Sequence, residues 1–75
     1  MEIEQAAGVV VALRQCTLAE AFDEILQAAR RHHVPPVRMA RGLVALANHS
    51  DPHDHHGLAA ARYEWGALMA MAVSS

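Results

Sequence analysis

Four arginines, Arg30, Arg31, Arg38 and Arg41, fall between positions 30 and 41 with no acid among them, a local charge of +4 in a chain of formal net charge -2. His32 and His33 lie in the same run, and the chain has no lysine, so every fixed positive charge is a guanidinium. A guanidinium is flat, carries its donors in a rigid fork and stacks on rings, which suits phosphates, carboxylates and bases. Single-stranded RNA loops are read by that mixture of stacking, hydrogen bonding and phosphate neutralisation. The run therefore marks Arg30, Arg31, His33, Arg38 and Arg41 as candidate RNA contacts. The competing reading is plainer: arginines that close a helix oppose the negative end of its dipole and sit in solvent. An Ala- and Arg-favouring composition weighs equally as a cause.

Two further groups carry possible chemistry. His49, His53, His55 and His56 are mixed with Asp51 and Asp54. If the chain is helical from Asp51, then His49, His53 and His56 share a face, and neutral imidazole beside carboxylate suits zinc, nickel or copper. Zinc motifs show tighter patterning, so these three are weak metal candidates only, and the segment reads first as a solvated, pH-sensitive linker. Trp65, Leu68 and Met69, with Met71 beside them, form either a seam for a partner or second subunit, or the core of a four-helix unit. No nucleophile elbow and no glycine-rich phosphate loop is present, so neither enzyme activity nor a cofactor is expected.

The elements that must position these groups are helical. Ile3, Ala6 or Ala7, Val10 and Leu13 trace one face of a helix over 2–14, although the run Val9-Val10-Val11 favours a strand locally. Gly8 inside it suggests a closely crossing helix. Thr17-Leu18-Ala19-Glu20 is a capping box and opens a second helix, over 18–31, whose face is Leu18, Ala21, Phe22, Ile25 and Ala29. Pro35 and Pro36 end that helix and begin a third, over 37–48, carrying Val37, Ala40, Val44 and Ala47, with Gly42 again hinting at close approach. A fourth helix begins near Asp51-Pro52 or after Gly57; along it Leu58, Ala61, Trp65, Leu68 and Ala72 recur in steps of three and four. The expectation is an all-α protein in three segments: a three-helix unit over 1–48, a His/Asp-rich linker over 49–57 and a C-terminal amphipathic helix over 58–75.

A chain of 75 residues allows one small domain with a limited core. Cys16 is the only cysteine, so a disulfide within the chain cannot staple it, and it reads as a small turn residue. Self-association is the expected remaining source of stability. Glu2 and Glu4 replace a basic signal-peptide start, and no run approaches a membrane span, so a cytoplasmic location and no membrane partner are expected.

With these residues in place, 3–47 resembles the ANTAR domain, the RNA-binding module of transcription antitermination regulators. The matching pattern is Ile3-Glu4-Gln5-Ala6-Ala7-Gly8, then Glu20-Ala21-Phe22 with Ile25, then Ala29, Met39-Ala40 and Val44. The chain departs from it at Ala7, where the family usually has lysine, at Leu26, where arginine is usual, and at Pro36, where leucine is common. The resemblance implies a three-helix ANTAR-like unit with an added fourth helix. It also implies binding of hairpin loops in nascent leader RNA, often as a dimer, and a possible sensor or regulator protein as partner; a homodimer is expected here. The alternative is a protein-interaction or dimerisation module derived from an ANTAR domain without RNA binding.

Overall fold

The computed structural model describes residues 2–48 and 55–74. Among the described residues the elements are four helices: α1 (Glu2–Arg14), α2 (Leu18–His32), α3 (Pro36–Asn48) and α4 (His55–Ser74). The expected all-α architecture, a three-helix unit with a fourth helix added, is what the chain forms.

Local chemistry sets the boundaries. Thr17 is extended, its hydroxyl accepts from the Glu20 amide at 3.1 Å, and the Glu20 carboxylate accepts from the Thr17 amide at 2.9 Å. Two orphan amides at the start of α2 are thereby satisfied. The Thr17 amide and hydroxyl together hold the Glu20 carboxyl below its ordinary value. At the other end, His33 is left-handed at φ 54°; its amide donates to Arg30 O and the Val34 amide to Ala29 O. That pair of bonds is a Schellman closure, and its apolar clasp is the buried pair Ala29 and Val34. Gln15, also left-handed at φ 52°, ends α1 with a single bond from its amide to Val11 O at 2.7 Å. Pro36 occupies the first position of α3, where its missing amide costs nothing.

Small side chains dominate the core. Nine buried alanines, Ala6, Ala7, Ala21, Ala28, Ala29, Ala40, Ala45, Ala60 and Ala61, stand beside a few large groups, of which Trp65, Ile25, Met39, Leu43 and Val10 are the largest fully buried. Alanine faces let helices come close and add little apolar area each, so most of the hydrophobic stabilisation rests on those few large residues. α3 lies at the centre and packs on α1, α2 and α4.

The two helical glycines named in the sequence part ways. Gly42 is buried where α3 meets the start of α4, and a Cβ there would collide with the Gly57 carbonyl and lie 2.9 Å from the Leu58 nitrogen. Gly8 is exposed, with nothing within 4 Å of a Cβ, so no helix crosses it and that expectation is corrected. The faces also shift in detail. Leu18 is 55% exposed and Val37 39% exposed, while Met39 and Leu43 supply the core side of α3 in their place. Position 18 belongs to the first turn beside the cap, and the buried side of α3 runs through Met39, Ala40, Gly42 and Leu43.

Candidate nucleic-acid interface

The basic run is split by the α2–α3 turn. Arg30 and Arg31 lie in the last turn of α2, His33 is the left-handed residue that closes it, and Arg38 and Arg41 lie on α3. All five side chains are exposed. Their fixing partners come from different helices. Arg31 Nη2 donates to Glu64 Oε1 of α4 at 2.6 Å, whereas Arg41 Nε lies 3.1 Å from Glu2 Oε1 of α1. Arg30 makes no ion pair among the described residues and shares a shallow surface of α2 with Asp23, Leu26, Gln27 and Arg31. The sequence places the four guanidinium groups in one outward cluster; the structure holds Arg31 against α4 and Arg41 against α1 and leaves Arg30 in solvent.

Glu64 takes part in more than the Arg31 pair. Its Oε2 lies 2.8 Å from His32 Nε2, and the His32 ring meets Tyr63 edge to face at 5.3 Å between centroids. The Arg31 hydrogen bond, aided by His32, holds the Glu64 carboxyl below its ordinary value of 4.5 against the opposing effect of burial; the same contact raises the Arg31 guanidinium. A second carboxylate, Glu24, plays a similar part. Its Oε2 accepts from Arg14 Nε of α1 at 2.8 Å and from the Trp65 indole N–H of α4. Glu24 thus joins three helices. Neither acid stands out in the sequence, because their partners lie 10 to 41 residues away. The only available signal was that an α4 otherwise poor in charge carries one carboxylate beside its tryptophan.

The groups set aside for a partner or a metal are distributed as follows. Trp65 has 0% exposure and sits in the chain's own core. Leu68 and Met69 are half-buried and pack against that core. Met69 also lines an apolar groove with Val9 and Leu13 of α1 and Leu46 of α3. Of the weak metal candidates, His49 and His53 lie outside the described residues, and His56 is exposed in the first turn of α4. Among the described residues no group of three metal-ligating side chains converges. No helix among them is long and apolar enough to cross a membrane.

No curated protein and no solved structure matches the chain. The ANTAR domain family matches residues 2–44, which takes in α1, α2, most of α3 and the whole arginine run, and stops short of Glu64 and α4. With more than half its length so matched, this chain belongs to the ANTAR domain family.

Proposed function

We propose that this protein is an RNA-binding transcription antitermination regulator that recognises hairpin loops in nascent leader RNA. The observation that carries the reading is the family match over 2–44, whose span contains every arginine of the exposed run. Arg30 is the leading contact, because a solvated guanidinium at the end of α2 reaches a phosphate or a splayed base without giving up a partner. Arg31, His33, Arg38 and Arg41 extend the surface along the turn. Binding takes place in the cytoplasm, in a homodimer that answers to a sensor or regulator protein.

The test is a gel shift with a pool of paired short RNA hairpins at two salt concentrations. Each phosphate neutralised steepens the log–log salt dependence by about 0.7 to 0.9. Arg30→Ala is expected to weaken binding and flatten that slope by about one phosphate, with the thermal midpoint unmoved. Salt-independent affinity, or an Arg30→Ala protein that binds like the parent, would sink this assignment of the surface.

A second reading, a dimerisation module without RNA recognition, is favoured by one observation: Arg31 and Arg41 already carry carboxylate partners of their own chain. The apolar groove at Val9, Leu13, Leu46 and Met69 would then be the functional face. Sedimentation of the purified chain together with the gel shift separates the two, because that reading requires a stable dimer and no shifted RNA.

A further inference from the structure

Glu64 faces the two residues at the end of α2 much as a phosphate would. It offers one oxygen to the Arg31 guanidinium at 2.6 Å and the other to the His32 ring at 2.8 Å. Its own side chain is only 15% exposed, whereas that of Arg31 is 54% exposed. The carboxylate is therefore held by the fold and the guanidinium is the movable member. Docking α4 does not depend on this contact alone. Ala60, Ala61 and Trp65 bury that helix, and the Trp65 indole is bonded to Glu24. With Arg31 half exposed to solvent, the pair adds only modestly to stability. What it does change is the availability of Arg31, since a guanidinium bonded to a carboxylate has to be released before it can meet a phosphate. Tyr63, itself 80% exposed, meets the His32 ring edge to face and takes up part of its surface. The residues that do the covering lie beyond the part of the chain that matches the family.

We propose that α4 is a built-in competitor for nucleic acid: Glu64 occupies the Arg31–His32 pair as a phosphate surrogate, and RNA has to displace it. The proposal rests on the RNA-binding reading above. It makes Arg31 a gated contact and Arg30 an open one.

A two-by-two comparison tests it, using the full chain, Glu64→Gln, Arg31→Ala and the double variant against the same hairpin pool. Glutamine keeps the length and shape of the side chain and removes the charge, and Trp65 emission reports whether α4 stays seated. The expected result is about two- to fivefold tighter binding by Glu64→Gln, the scale of an exposed ion pair. Its salt slope should stay close to the parent's, because Arg31 meets the same phosphate in both complexes once Glu64 is displaced. In the Arg31→Ala background the same change should give a much smaller gain, that of His32 alone. Equal binding by the parent and Glu64→Gln overturns the gate and leaves RNA binding standing. So does a gain undiminished by removal of Arg31, since it would come from net charge alone. Absence of binding by all four proteins overturns the RNA reading itself, and the gate with it.

Discussion

His33 shows how much a single residue's backbone can say about its side chain. It was singled out as an RNA contact for its imidazole, and in the structure it also supplies the left-handed turn that ends α2. A residue with a Cβ pays about 1 kcal/mol or more for that conformation, and glycine does not. His33→Gly is therefore expected to raise stability by roughly 0.5 to 1 kcal/mol in urea melts. If the imidazole also touches RNA, the same variant should bind more weakly, so stability and affinity would move in opposite directions. Gly8 offers the complementary case. It is exposed in mid-helix with open space around its absent side chain. Gly8→Ala should stabilise the fold by about 0.8 to 1 kcal/mol, which for a domain of this size is about 4 to 8 °C in thermal midpoint. Leu26, at the position where the family usually has arginine, is 42% exposed on the surface that includes Arg30. At that solvent-facing position this chain presents a leucine.

At the scale of the elements, α4 is held in three ways. Its start crosses α3 backbone to backbone at Gly42, its middle buries Trp65, and Glu64 ties it to α2. The first of these tolerates no side chain. Gly42→Ala places a methyl group against the Gly57 carbonyl, and neither backbone can give way without moving a helix. A loss of about 1 to 3 kcal/mol is expected, with red-shifted Trp65 emission as α4 lifts. A melting curve and fluorescence spectrum identical to the parent would show that the crossing is looser than described. The contrast with Gly8 is instructive, because the two glycines look alike in sequence. Each lies inside a helical pattern, and only the partner helix tells them apart.

The whole molecule is small, with a Cα radius of gyration of 11.0 Å, and its core is mostly alanine. Modest contributions therefore matter to its net stability. Two carboxylates, Glu64 and Glu20, are held below their ordinary value of 4.5 by partners present only in the fold, Arg31 and His32 for the first and the Thr17 amide and hydroxyl for the second. A carboxyl with a depressed folded value contributes its stability above 4.5 and loses it as the pH falls through the folded value. The urea midpoint should accordingly decline in acid. Glu64→Gln should show a shallower decline over that interval, because one of the two linked groups is gone. Parallel curves for parent and variant would mean that Glu64 titrates alike in both states.

The line between what the residues alone determined and what the fold decided follows the range of the forces involved. Capping at Thr17, the break at Pro35 and Pro36, and the periodicity of each helix depend on neighbours a few positions apart, so a reader of the chain finds them. The family resemblance rests on the same local patterns. Arg31 reads as solvated until a carboxylate 33 positions later is seen beside it, and Trp65 reads equally as a seam or as core until the other helices close over it. Pairings of that kind depend on how α4 lies on the other helices, and close packing of alanine faces, which are nearly alike all along the chain, leaves that choice to tertiary contact.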